Sequence, residues 1–181
     1  MLKIEELVHS FLTTNCDFDK ELILTNFFHS DWEADILLIS AEGFSHEIEI
    51  KLSKSDFKND FKKKYTNQKT GEKFLKHDKI GCGDYICNAF SFLLPMGMLD
   101  HQDIPEHCGI IEFYHNEDNW ETEFYKIREP KMIHQDSYWK LCDKDHFMRN
   151  IARSLLFKKF ELKGKKEELI FKNFFEVKNK K

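Results

Sequence analysis

The chain has 181 residues, about the size of one domain, and 41% of them are hydrophobic, including 18 phenylalanines. That is enough apolar surface for a packed core, so intrinsic disorder is excluded as the main state. The net charge is −4, but residues 51–79 contain ten lysines and four acidic residues and carry +6, which leaves −10 for the rest. A basic segment of this kind can bind a polyanion, or it can be an ordinary solvated surface.

Cysteine usage and hydropathy predict the compartment. Five cysteines are an odd number, and the N-terminus is amphipathic from its first residues, so we expect a reduced, cytoplasmic protein. No apolar run reaches the ~20 residues of a membrane span, so we expect no contact with a membrane. Cys82, Cys87, His107 and Cys108 match no standard zinc spacing, and the cysteines are interpreted as ordinary thiols.

The first predicted elements are a helix and three strands. Apolar residues at helical spacing predict an amphipathic helix over residues 2–14. Strands are predicted at 21–28, 34–40 and 46–52, with a hairpin turn at 41–45 that contains Gly43. The second strand is apolar, which predicts burial on both faces, whereas the third alternates and places Glu47, Glu49 and Lys51 on one face.

After residue 53 the pattern changes to that of a helix. Ser55 is the expected N-cap, and Phe57, Phe61 and Tyr65 lie on one side. The polar residues 66–79 predict a loop, and further elements are predicted as strands at 89–94, 109–115 and 121–127 and as helices at 144–162 and 165–175.

This order predicts an α/β fold in which helices flank a mixed central sheet. With no internal repeat and little linker composition, we expect one domain over residues 1–181, with a core of about 1–127 and a helical C-terminal extension of about 131–181.

The predicted hairpin brings three charged residues together. Pairing of the second and third strands sets Asp35 near Glu49, with Lys51 two residues along on the same face. Two adjacent carboxylates repel unless a cation lies between them, and ligands that are all oxygen favour Mg²⁺ or Mn²⁺ over zinc. The alternative is a half-exposed amphipathic strand whose charges only face solvent, and the spacing alone does not decide between the two.

The surrounding residues are more specific. The run Glu33-Ala34-Asp35-Ile36-Leu37, followed by the run from Glu49 to Asp60 with the pattern E-x-K-x-S-x-x-D-F-x-x-D, resembles the PD-(D/E)XK nuclease superfamily, and most of all its MmcB-like DNA repair proteins. Residues 87–95 and 109–111 resemble the two strands that follow, so that the resemblance covers roughly residues 30–115. Glu33 stands where an arginine is common, and residues 66–79 look like an insertion.

The resemblance implies a restriction-endonuclease-like core and a Mg²⁺-dependent DNA endonuclease acting in repair, recombination or a phage-like setting. By this resemblance Asp35, Glu49 and the backbone carbonyl of Ile50 would bind Mg²⁺, for which Mn²⁺ could substitute. Lys51 would position or polarise the attacking water, and hydrolysis would leave a 5′-phosphate. Glu5 on the first helix is a candidate accessory acid, or only a carboxylate favoured by the helix dipole. The family pattern also includes Asp56 and Asp60, which we interpret as structural.

The basic segment begins at the candidate catalytic lysine. Its side chains Lys54, Lys58, Lys62 and Lys63 could neutralise phosphates on either side of the scissile one, which predicts DNA binding that depends on salt and tolerates sequence. The resemblance also implies a homodimer. Two alternatives stay open: a catalytically silent nucleic-acid-binding module of the same fold, and an RNA-directed nuclease.

Overall fold

The computed structural model describes residues 2–29, 32–66 and 71–161, which fall into two compact units divided between Cys142 and Asp143. The described helices are α1 (Ile4–Asn15), α2 (Lys54–Asp60), α3 (Lys76–Cys82), α4 (Tyr138–Leu141) and, in the second unit, α5 (Lys144–Glu161). The strands are β1 (Glu21–His29), β2 (Trp32–Ser40), β3 (Ser45–Ile50), β4 (Lys64–Thr66), β5 (Lys73–Leu75), β6 (Ala89–Pro95), β7 (Gly109–His115) and β8 (Thr122–Arg128).

Six strands form the central sheet of the first unit, in the order β1-β2-β3-β6-β7-β8. β3 pairs in parallel with β6, and β6 with β7, while the other neighbours are antiparallel. The chain passes through α2 and α3 between β3 and β6, as a parallel connection requires. The predicted α/β fold with a mixed central sheet and flanking helices is therefore confirmed.

One face of the sheet carries an apolar cluster. Leu7 and Phe11 of α1 pack on it because the helix presents its apolar stripe there. The cluster contains the buried side chains Leu7, Phe11, Ile36, Leu38, Ile48, Ile50, Leu93, Ile111 and Phe113.

The opposite face is covered by α2 and α3. The ring of Phe57 lies 5.0 Å from that of Phe92, and His77 stacks on the same strand residue at 5.6 Å between ring centroids. Since side chains alternate along a strand, this face receives Glu47 and Glu49, whose neighbours Ile48 and Ile50 point to α1.

Several predicted boundaries differ from the structure. The N-cap of α2 is Ser53, whose hydroxyl accepts a hydrogen bond from the Asp56 backbone N at 3.2 Å, and Ser55 is not the cap. The helix ends at Asp60, so Tyr65 is not on it and instead lies in β4, where it pairs with Phe74. Strand β3 ends at Ile50 rather than at residue 52.

The predicted loop over residues 66–79 is wrong where the structure describes it. β5 and the start of α3 lie there, and Lys76 and His77 on α3 are buried. The error has a physical reason, because sequence patterning treats lysine and histidine as surface residues, whereas these two are buried by pairing with carboxylates.

The segment that follows β8 also differs from expectation. Residues 131–137 belong to the first unit but are not helical, and they are held by Asn88, whose side-chain amide donates to the backbone carbonyls of His134 and Asp136 at 3.0 and 2.8 Å. Helix α5 begins at Lys144 as predicted, while the predicted helix at 165–175 lies outside the described residues.

Candidate functional site

Strands β2 and β3 bring Asp35 and Glu49 together. Their antiparallel register pairs Ile36 with Ile48, so Asp35 lies one position beyond this pair and beside Glu49. The backbone N of Ile50 donates a hydrogen bond to Oδ2 of Asp35 at 2.7 Å. Two carboxylates on neighbouring strands thus face the same side of the sheet, as the hairpin interpretation expected.

Lys51 joins this pair from the end of β3. Its Nζ lies 2.8 Å from Oε2 of Glu49 and 2.9 Å from Oδ1 of Asp60 on α2. Burial by itself would lower the pKa of Lys51, but these two carboxylates raise it above its ordinary value. Lys51 is therefore a fixed cation and hydrogen-bond donor at neutral pH.

Two more lysines bind the same carboxylate. Nζ of Lys63 lies 3.2 Å from Oε1 of Glu49 and 2.7 Å from Oδ1 of Asp60. Nζ of Lys76 lies 2.5 Å from Oε1 of Glu49. Glu49 thus accepts hydrogen bonds from three ammonium groups, which come from the end of β3, the segment after α2 and the start of α3.

Glu47 lies at the fully buried end of a network of charged side chains, which consists of Asp35, Glu47, Glu49, Lys51, Asp60, Lys63 and Lys76. It is fully buried, and its carboxylate is bound by Nζ of Lys76 at 2.6 Å, by the Tyr85 hydroxyl at 2.5 Å and by Nε2 of His29 at 2.8 Å. Burial opposes its ionised form, yet Lys76 and His29 hold the pKa of Glu47 well below its usual range. The Glu47 carboxylate is therefore ionised and fully paired.

Asp60 connects the network to α3. Nε2 of His77 lies 2.7 Å from Oδ2 of Asp60, and the His77 ring stacks on Phe61 with 4.1 Å between centroids. Burial would raise the pKa of Asp60, but the hydrogen bond from His77 and the neighbouring lysines hold it well below its usual range. Asp60, interpreted from the sequence as structural, is the residue that anchors Lys51.

Asp35 is the exception in this network. Among the described residues, no lysine or arginine forms an ion pair with it, although Glu49 lies beside it. Burial and the charge of Glu49 raise the pKa of Asp35 to about 6. Four carboxylates (Asp35, Glu47, Glu49 and Asp60) face three ammonium groups (Lys51, Lys63 and Lys76), and among them Asp35 is the carboxylate to which no ammonium group of the described residues is bound.

This donor set fits a hard divalent cation. The described hydrogen bonds of Asp35 leave Oδ1 without a partner, and this half-buried side chain lies with Lys63 at the solvent-facing end of the network. A cation bound to Oδ1 could reach the Glu49 carboxylate only if one of the three ammonium groups moved aside. Carboxylate and carbonyl oxygens are the ligands that Mg²⁺ and Mn²⁺ prefer.

The other predicted site residues lie further away. Glu5 is exposed on α1, which packs on the opposite face of the sheet, and within the described residues no hydrogen bond or ion pair joins Glu5 to Asp35, Glu49 or Lys51. Lys54, Lys58 and Lys62 are exposed on α2 and in the turn that follows it. Lys63, grouped with them in the sequence analysis, is half-buried and paired to Glu49 and Asp60.

Lys76 and His29 were not predicted from the sequence to belong to the network, and no role in pairing a carboxylate was predicted for Tyr85 or His77. One signal for them was present. A strand with Glu47 and Glu49 on one face of a buried sheet needs cations or donors nearby, since buried charges must be paired. The pattern indicates that such partners exist, but it does not predict where along the chain they lie.

Comparison with known proteins supports the fold alone. No protein-family model matches the sequence, and no curated protein is significantly similar to it. Among solved structures, the chain is similar to the SPO1766 protein of unknown function from Silicibacter pomeroyi, with a TM-score of 0.50 and 15% identity over 84% of this chain and 83% of that one. In the described residues, no helix is long and apolar enough to cross a membrane.

Proposed function

We propose that this protein is a metal-dependent endonuclease that hydrolyses phosphodiester bonds of DNA. The observation that carries the proposal is the half-buried carboxylate of Asp35, which has no ion pair among the described residues and lies beside Glu49, whose Oε2 is 2.8 Å from Nζ of Lys51. Two acids and a lysine in this arrangement match the resemblance to the PD-(D/E)XK superfamily that the sequence suggests. The proposal therefore rests on a sequence pattern and on a geometry that agree.

In this proposal Asp35, Glu49 and the backbone carbonyl of Ile50 hold Mg²⁺, or Mn²⁺ in its place. The metal would supply a hydroxide nucleophile at neutral pH and neutralise charge that develops on the phosphate. Asp35 is kept in place by the backbone N–H of Ile50, which donates to Oδ2 and leaves Oδ1 available to a metal ion.

Lys51 acts as a cationic donor to the attacking water or to the phosphate. Because Glu49 and Asp60 raise its pKa, it does not serve as a base at neutral pH. Asp60 positions it from α2, and the exposed side chains of Lys54, Lys58 and Lys62 would bind phosphates on either side of the scissile bond.

The experiment is cleavage of supercoiled plasmid, linear duplex, single-stranded and branched DNA, and of RNA, with Mg²⁺ or Mn²⁺ and with a chelator. We expect DNA products with a 5′-phosphate in the presence of metal, and loss of activity in Asp35→Asn and Lys51→Met. Lys20→Met is the matched control, because this exposed lysine pairs with Asp17 and lies outside both the network and the lysines assigned to phosphate binding. A wild-type protein that cleaves none of these substrates would contradict the proposal, and cleavage of RNA alone would redirect it to an RNA-directed nuclease.

A second candidate function is a catalytically silent module that binds nucleic acid. It is favoured by one observation, namely that Glu49 already receives three ammonium groups and so is neutralised without a metal. Calorimetric titration with Mg²⁺ and Mn²⁺ at millimolar concentration separates the two functions. Binding that Asp35→Asn abolishes supports the nuclease, whereas no binding, together with retained affinity for DNA, supports the silent module.

The sequence resemblance also suggests a biological process, a compartment and an oligomeric state for the protein. We propose a role in DNA repair or recombination, or in a phage-like context, inside the cytoplasm, with the chain acting as a homodimer. Analytical ultracentrifugation with and without DNA tests the assembly, and a sedimentation coefficient that stays that of a monomer in both conditions would contradict it.

A further inference from the structure

A second group of metal-ligating side chains lies on the far side of Asp60. It is formed by His77 on α3 and by His107 and Cys108, which immediately precede β7. Each of the three residues offers one ligand atom, and these atoms all lie within 4.8 Å of one another. In the sequence His77 lies 30 residues before His107 and 31 before Cys108, so no motif spacing groups the three residues.

Two ring nitrogens in this group are buried without a hydrogen-bond partner, namely Nδ1 of His77 and Nε2 of His107. The His77 side chain is only 7% exposed, and Cys108 is fully buried. Buried polar atoms are normally hydrogen-bonded, so two that lack a partner beside one thiol need an explanation.

The far nitrogen of His77 is already oriented. Its Nε2 lies 2.7 Å from the Asp60 carboxylate, which leaves Nδ1 as the free nitrogen. Histidines that bind metals commonly donate their other N–H to a carboxylate in this way, which fixes the tautomer and raises the basicity of the ligating nitrogen. The His107 side chain is half-buried, so it is the most exposed member of the group.

We propose that His77, His107 and Cys108 form a site for a transition-metal ion, Zn²⁺ first, with a water molecule as the fourth ligand. Two imidazoles and a thiolate suit zinc and exclude Mg²⁺, so this site differs in chemistry from the carboxylate pair of Asp35 and Glu49. Bonds of about 2.0–2.3 Å place tetrahedral ligands about 3.3–3.6 Å apart, so the three atoms would close by at most ~1.5 Å. On binding, the Cys108 thiol releases its proton to solvent.

A different group of three possible metal ligands is already occupied by other hydrogen bonds. His29, Glu47 and Cys87 also lie close enough together to hold an ion. The Glu47 carboxylate there is already bound by Lys76 and Tyr85, so a metal would have to displace an ammonium group and a hydroxyl. The His77 group has no such competitor among its described contacts, since Nδ1 of His77 and Nε2 of His107 bind nothing.

The test is titration of the chelator-treated full-length protein with Co²⁺, which gives a thiolate-to-metal charge-transfer band only when a cysteine is a ligand. We expect one Co²⁺ per chain with this band, displaced by Zn²⁺. Cys108→Ala should lose the band, and His107→Ala should weaken binding by more than the ~100-fold that loss of an outer hydrogen-bond partner can cost.

Three control variants should keep the band: Cys87→Ala, Cys82→Ser and Asp35→Asn. Asp35→Asn also separates this proposal from the nuclease, because the carboxylate site offers no sulfur ligand and so cannot produce the band. Circular dichroism of each metal-free variant checks that it is folded, and His107→Ala, at a half-buried position, serves if Cys108→Ala does not fold. A wild-type protein with no band, or a band that survives in Cys108→Ala, overturns the proposal.

Discussion

Lys76 Nζ lies 2.6 Å from Oε1 of Glu47, and both side chains are fully buried. The same ammonium group also binds Glu49, so one lysine compensates two acids of β3. The carboxylates in turn raise the pKa of Lys76 above its ordinary value despite its burial. This contact links α3 to the sheet at the buried end of the network.

Removal of this lysine should therefore destabilise the fold strongly. We expect Lys76→Met to lower the free energy of unfolding by about 3–5 kcal/mol, because it leaves buried carboxylates without their cation. Urea denaturation measures the loss. The double variant Lys76→Met/Glu47→Gln should recover part of it, since one of the two acids is then neutral, whereas Lys58→Met on the exposed face of α2 should change stability by less than about 0.5 kcal/mol. Equal losses in Lys76→Met and Lys58→Met would contradict the assigned role.

Asp35 predicts a pH dependence. The pKa of Asp35 in the folded state is about 6, above the ordinary value of 3.8. Between pH 3.8 and about pH 6, Asp35 is therefore protonated in the folded state and ionised in the unfolded chain. Stability from this group is therefore complete at low pH and is lost as the pH rises through about 6. Relative to wild type, Asp35→Asn should gain about 1–3 kcal/mol between pH 4 and pH 7.5 without metal, measured by urea denaturation. A difference that does not change with pH would show that Asp35 is not perturbed.

The exposed lysines predict how affinity for DNA depends on salt. Replacement of Lys54, Lys58 and Lys62 by glutamine should weaken binding and reduce the slope of log K against log [salt] by up to about 2.7, since each phosphate contact contributes ~0.9. Fluorescence anisotropy with a labelled duplex measures both effects. A triple variant at Lys20, Lys126 and Lys140, which are also exposed, makes the same charge change elsewhere. Equal effects of the two triple variants would mean that binding follows net charge and not this surface.

Arg128 at the end of β8 holds the segment that leads to Cys108. Its guanidinium donates to the backbone carbonyls of Cys108 at 2.9 Å, Ile104 at 3.0 Å and Pro105 at 2.7 Å. Hydrogen bonds from a charged group are worth about 1.5–3 kcal/mol each at most, and losses are partly recovered by water. We expect Arg128→Met to lower the unfolding free energy by about 2–3 kcal/mol in chemical denaturation, and Lys126→Met on the same strand to have little effect. A loss no larger than that of the control would contradict this role.

Much of the architecture could be predicted because it depends on local periodicity. The apolar stripe of α1, the alternation of β3 and the continuous apolar run of β2 predicted these elements and the mixed sheet. The pairing of Asp35 with Glu49 followed from the hairpin, whose register is set by a short turn and an apolar face. Boundaries were less accurate: a local hydrogen bond from Asp56 places the cap of α2 at Ser53, and the helix ends at Asp60, which Lys51 and His77 bind.

By itself the sequence determined which charged residues share a face of β3 and which elements surround them. Only the tertiary structure decided which partners neutralise them, because Lys76, His77 and Tyr85 reach Glu47 and Asp60 from segments 17 to 38 residues away. Such contacts leave no periodic pattern, since a lysine or a histidine in a polar stretch looks the same whether it lies in solvent or pairs with a buried acid. For the same reason the group of His77, His107 and Cys108 could not be predicted from the sequence. These residues come together only in the fold, where α3 lies beside the start of β7.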